Sequence, residues 1–207
     1  MNKFSAGKVI MTAGLFMTLS SLTLVMYNRN ESARARNESE YMVSKIIAAE
    51  NSELKESIEE FNISQDYQTD NIDNQYINED GLAFIGILII PELKIQLPVC
   101  SDFNMNNLSS FPCVYSNNIS DKNIIIAAHN YDSHFGNIKS LGAGDKIILK
   151  TVSGKNIIYE VFSTDIIPGD KPSDMMSGEW DLTLFTCTKN GKDRIAVRCF
   201  DTTSESS

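Results

Sequence analysis

Seven short apolar runs follow one another between residues 82 and 200: LAFIGILII, KIQLPV, NIIIAAH, DKIILKTV, NIIYEVFSTDII, DLTLFTC and DRIAVRCF. They are dense in Ile and Val and are separated by Gly, Pro, Asn and Asp. Branched side chains lose rotamer freedom in a helix but pack well on a pleated surface, so each run reads as a strand. Only MNNLSSF, residues 105–111, offers a short helical stretch. With no long helix among them to cover an open sheet, many short strands are best accommodated by closure on themselves. Residues 81–207 are therefore expected to form one mainly β domain, a closed or nearly closed barrel.

What precedes this domain is different in texture. Residues 9–27, VIMTAGLFMTLSSLTLVMY, hold no charge over 19 positions, which at about 1.5 Å per residue matches the hydrocarbon core of a bilayer. Lys3, Lys8 and the amino terminus flank it on one side, and Arg29, Arg34 and Arg36 on the other. The short amino-terminal flank favours a cytoplasmic N-terminus, with the remaining chain exported. A cleaved signal peptide is the rival reading, because ARA at 33–35 fits a small-x-small site, but the apolar run is long for one and arginines interrupt the approach. Residues 1–28 are read as a cytoplasmic tip and membrane anchor.

From Glu38 to Phe61, Met42, Val43, Ile46, Ile47, Leu54, Ile58 and Phe61 recur at helical spacing among Glu and Lys, an amphipathic stalk. Residues 62–80 are polar and read as a linker, so 29–80 form an acidic helix and tether. Two bases face twelve acids over 37–80, and the whole chain carries a formal charge of −9. No dense basic stripe is present, which excludes nucleic acid as the expected partner.

Four cysteines stand at 100, 113, 187 and 199, in no CxxC or CxxH spacing, and neither a metal nor another cofactor is expected. A Cys100–Cys113 disulfide is left open. Cys187 is set apart by its surroundings in TLFTCTKNGKDR. Asn190-Gly191 is a strong hairpin signal, and a two-residue turn there pairs Cys187 with Arg194 on one face. Arg198 shares that face but stands four residues further along, roughly 13 Å away at about 3.3 Å per residue. A thiol becomes a good nucleophile beside a base or a cation. The two histidines, His129 and His134, both lie in IIIAAHNYDSHFG. His129 closes an apolar strand, where a side chain is held rigidly, while His134 follows polar loop residues.

LTLFTC followed by DRIAV resembles the signature of sortases, the cysteine transpeptidases of Gram-positive cell surfaces. FIGILIIPELKIQLPV is similar to that family's opening strands, LGAGDKIIL to its GD turn, and NIIIAAHN to its histidine strand, with Ala128 in place of a glycine. The resemblance implies an eight-stranded sortase barrel with short helices, Cys187 as nucleophile, His129 as general acid/base, Arg194 as oxyanion or substrate-backbone donor, and Thr186 in support. It also implies cleavage of an LPxTG-like sorting-signal peptide after Thr through a thioester, then transfer to an amine of a peptidoglycan cross-bridge or a pilin. PGDKPSDMMSGEW is too short for the helical insertion of class B enzymes. Another exported cysteine peptidase, or a catalytically silent tethered adhesin, are the alternatives.

Overall fold

The computed structural model describes residues 3–61, 76–117 and 123–203. Its elements are helix α1 (Lys3–Phe61), strands β1 (Ile77–Glu79), β2 (Leu82–Ile90) and β3 (Ile95–Cys100), helix α2 (Met105–Leu108), strands β4 (Cys113–Ser116), β5 (Ile124–Ala127), β6 (Lys146–Thr151) and β7 (Asn156–Pro168), helix α3 (Ser173–Met176), and strands β8 (Leu182–Cys187) and β9 (Asp193–Asp201). The seven expected strands are all present. CVYS forms an eighth, too short to show a period, and Ile77–Glu79, inside the segment read as tether, adds an edge strand to β2. Most of that tether, 62–75, lies outside the described residues.

The sheet order is β1-β2-β3-β4-β5-β8-β9-β7-β6, and β6 returns to β2, so β2 through β9 close an eight-stranded barrel. Closure runs along an antiparallel ladder from Gly86↔Thr151 to Ile89↔Ile148. Gly86 sits beside a bulge with φ 155, and a Cβ there would overlap the carbonyl of Lys150. Only glycine lets the two strands approach so closely.

Leu88, Leu97, Ile126, Leu149, Leu184 and Val197 fill the barrel, with Phe135 and Ile138 plugging it from the loop after β5. β6 alternates buried and less buried residues, as a strand with one dry face should. β5 is buried at every position because its outer face is covered too. Ile125 packs with Ile167, Met175 and Ala196, and Ala127 joins a cluster that includes Met42 and Ile46 of α1. Continuous apolar runs such as NIIIAAH mark strands covered on both faces.

Helix α1 is unbroken from the apolar segment into the stalk. Val9, Leu15, Phe16, Leu22 and Val25 are exposed, and this is the one described helix long and apolar enough to cross a membrane. Further on, Ala35, Ser39, Met42 and Ile46 are buried, one face at spacings of three and four that lies against the barrel. Ser39 Oγ donates to the Ser110 carbonyl at 3.1 Å and lies 3.3 Å from His134 Nε2, and Ser133 Oγ donates to the Ser32 carbonyl at 3.0 Å. Lys45 bridges Glu79 and Asp80 at 3.1 and 3.0 Å, fastening β1 to the helix.

His134 is thus a joint between α1 and the loop after His129, a role its polar sequence surroundings hid. It is 1% exposed, and burial, with the charge of His129 second, lowers its pKa to about 4. The folded state therefore binds this proton less readily than the unfolded chain. Its contribution is complete above about pH 6.5 and is lost as pH falls towards 4, a range equivalent to about 3 kcal/mol. Urea denaturation between pH 7 and 4 should show a steeper loss for the wild type than for His134→Gln; parallel curves would exclude this linkage.

Candidate active site

Strand β8 lies between β5 and β9. The parallel ladder with β5 ends at Ala127↔Phe185, and the Ala128 N–H extends it by donating to the Phe185 carbonyl at 3.2 Å. Continued two residues past its last pair, this register brings His129 level with Cys187. On the other side the antiparallel ladder pairs Cys187 with Arg194. Adjacent strands stand about 4.8 Å apart. His129, Cys187 and Arg194 therefore occupy one row across three neighbouring strands, at one end of the barrel.

The β8–β9 turn reaches the expected register by a different geometry. Thr188 N–H donates to the Asp193 carbonyl at 2.9 Å and Gly191 N–H to the Thr188 carbonyl at 2.8 Å, closing a four-residue loop over 189–192. Gly191 has φ 70, whereas Asn190 does not adopt the left-handed conformation that a two-residue type I′ turn requires. Asn190 Oδ1 instead accepts from Thr188 Oγ1 at 2.6 Å and Lys192 N–H at 3.1 Å. Both loops have an even count and share a centre, so the register is the same.

Around this row is a cleft of about 280 Å³ whose lining includes His129, Thr186, Cys187 and Arg194. Its walls are apolar: Phe103 and Met105 from the β3–β4 connection, Tyr115 from β4, and Ile167, Pro172 and Met175 from β7 and its continuation. All four cysteines are free, but Cys100, Cys113 and Cys199 are wholly buried and Cys187 alone is partly exposed. Burial lowers the His129 pKa, favouring a neutral imidazole at pH 7. Arg194 Nη1 donates to the carbonyls of Gly191 at 3.2 Å and Asp193 at 3.1 Å, leaving Nε and Nη2 without a partner among the described residues. Among those residues no group of three or more His, Cys, Asp or Glu is placed to hold a metal.

Residues 88–201 match the sortase-domain profile. The chain belongs to the sortase family. Solved structures agree on the fold. A sortase D5 transpeptidase of Clostridium perfringens is 18% identical over 80% of this chain and 98% of its own, with a TM-score of 0.58. The sortase A lid mutant of Corynebacterium diphtheriae is 19% identical over 58% of this chain and 71% of its own, with a TM-score of 0.53. The pilus-related sortase C of Group B Streptococcus is 27% identical over 57% of this chain, with a TM-score of 0.51, and 66% of its own length is matched. Comparison with curated proteins gives no match.

Within this sortase domain, Thr186 Oγ1 donates to the Ala128 carbonyl at 2.8 Å, tying β8 to the residue before His129. Both groups are buried. Thr186→Val keeps the shape and orphans the carbonyl, so it should cost about 1–3 kcal/mol in urea denaturation. It should also lower kcat more than it raises KM for a peptide substrate; unchanged stability and kcat would contradict the tie.

Arg198, the other arginine of β9, is 3% exposed. It donates through Nη1 to the Met175 carbonyl at 2.7 Å and Thr183 Oγ1 at 2.9 Å, and through Nη2 to the Asp174 carbonyl at 2.7 Å. It anchors α3 and with it the Met175 wall of the cleft. Gly169 was not legible as a site residue. A Cβ there would collide with the Lys192 carbonyl, so glycine alone lets the β7–β8 connection press against the hairpin that carries Arg194. Phe103, Met105 and Tyr115 were equally hidden, because their runs carry no motif and only the closed barrel brings them to Cys187.

Proposed function

We propose that this sortase cleaves an LPxTG-like sorting signal after its Thr and transfers the acyl group to an amine, with Cys187, His129 and Arg194 as the reacting set and Thr186 as a positioning residue. The observation that carries this reading is the row of three side chains at the mouth of one apolar cleft. Neutral His129 takes the Cys187 proton as Sγ attacks the Thr carbonyl carbon. Negative charge grows on the carbonyl oxygen, where the unpartnered Arg194 donors supply a positive field. The imidazolium returns its proton to the departing amine, leaving a thioester. An incoming amine, of a peptidoglycan cross-bridge or a pilin lysine, loses a proton to His129, attacks the thioester carbon and expels Cys187.

Helix α1 serves as a single-pass membrane anchor through residues 9–27, with the N-terminus cytoplasmic and the barrel outside the cell. Its exposed apolar surface and its continuity with the docked stalk support this reading. The test incubates the full chain in detergent with LPxTG-type peptides and triglycine, followed by mass spectrometry. A product in which triglycine replaces the residues after Thr is expected. Hydrolysis alone, or cleavage at another bond, would overturn the assignment.

A further inference from the structure

Between α1 and the active-site loops runs a second groove, of about 880 Å³, that no step of the transfer uses. Arg29 and Arg36 line its helix side, Lys189 of the β8–β9 hairpin and Tyr131 its barrel side. Among the described residues Asp132 is the one acid in the lining. None of the three cations has an ion pair among the described residues, whereas Arg34 is held by Glu31 and Glu38 at 3.1 and 3.7 Å. Three unpartnered cations converging on one groove are unusual in a chain of formal charge −9.

Height decides what the groove meets. The lining begins at Val25, inside the uncharged segment that ends at Tyr27. At about 1.5 Å per helical residue, Arg29 stands roughly 3 Å and Arg36 roughly 13 Å beyond Tyr27. The headgroup layer adds about 5–8 Å to each face of the hydrocarbon core. An unbroken helix thus holds the groove across the level of the lipid phosphates, with its mouth at the membrane.

We propose that this groove binds the phosphate headgroup of an anionic membrane phospholipid between Arg29, Arg36 and Lys189. The proposal rests on the reading of α1 as a membrane anchor. A phosphate diester supplies the negative charge the three cations lack, and its acyl chains continue down the exposed apolar face below Val25. Because Lys189 lies two residues from Cys187, a bound headgroup also tethers the hairpin to the bilayer and turns this end of the barrel towards it.

The test is native mass spectrometry of the full chain released from nanodiscs containing equal phosphatidylglycerol and phosphatidylcholine. At about 1 kcal/mol per cation and a net of two, phosphatidylglycerol should be retained about thirty-fold over phosphatidylcholine. The selectivity should vanish in Arg36→Gln/Lys189→Gln and persist in Arg34→Gln. No selectivity in the wild type, or equal selectivity in the double variant, would overturn the proposal. Displacement of the lipid by millimolar inorganic phosphate would assign the groove to the free anion and would also overturn it. Alkaline carbonate extraction of membranes separates the two readings: a chain released by carbonate defeats the anchor itself, while a chain that stays embedded without lipid selectivity defeats only the headgroup site.

Discussion

Cys187→Ala is expected to abolish both thioester formation and amine transfer while leaving the barrel intact. Cys187 is partly exposed at a strand end, so loss of its sulfur opens no cavity in the core. Cys199 gives the converse. It is fully buried beside Val161, Leu182 and Val197, and burial pushes its thiol up to about 12, so it is inert packing. Cys199→Ala should retain activity at reduced stability, which thermal denaturation with a parallel transfer assay would check. His129→Ala should lower kcat/KM by about 10²–10⁴-fold. Because burial holds the His129 pKa below 6.5, the acid limb of the wild-type pH profile should lie below that value. Substantial transfer by Cys187→Ala, or retention of the acid limb in His129→Ala, would contradict the assignments.

The two arginines of β9 should separate activity from stability. Arg194→Ala removes donors from the residue paired with Cys187 and should lower kcat/KM by about 10²–10³-fold, or about 2.7–4 kcal/mol of transition-state stabilisation. Its effect on folding should be small, because the partners it leaves are carbonyls of a solvent-exposed hairpin. Arg198→Ala instead leaves the buried Met175 carbonyl without that donor and takes one partner from the Asp174 carbonyl and from Thr183 Oγ1, which keeps Asn123; this should cost about 1–3 kcal/mol of stability and loosen α3. Urea denaturation and peptide kinetics on both variants would establish the contrast. A larger loss of kcat at 198 than at 194, in protein that remains folded, would reverse it.

The strands and the pairing of Cys187 with Arg194 were legible because both depend on local chemistry, whereas His129 joins that row through the β5–β8 pairing, distant in sequence, and was marked only by its strand end and by resemblance. Ile and Val runs report pleated, dry surfaces, and an even-count turn centred on Asn190-Gly191 pairs Cys187 with Arg194 whichever loop forms. The turn geometry itself was misread, since an Asn side chain that caps its own loop removes the need for left-handed backbone. The eighth strand escaped because four residues hold no periodicity. The aromatic cleft wall, the Gly169 contact and the His134 joint escaped for another reason. Each couples residues distant in sequence, such as Ser39 with Ser110 and His134, and only tertiary packing brings them together.

Intact-protein mass spectrometry of the full chain with an LPxTG-type peptide, without any amine, tests the central claim most directly. A thioester adduct with the mass of the peptide through Thr should appear, map to Cys187 after proteolysis, and disappear when triglycine is added. An adduct on another residue, or a Cys187 adduct that triglycine does not resolve, would contradict the account.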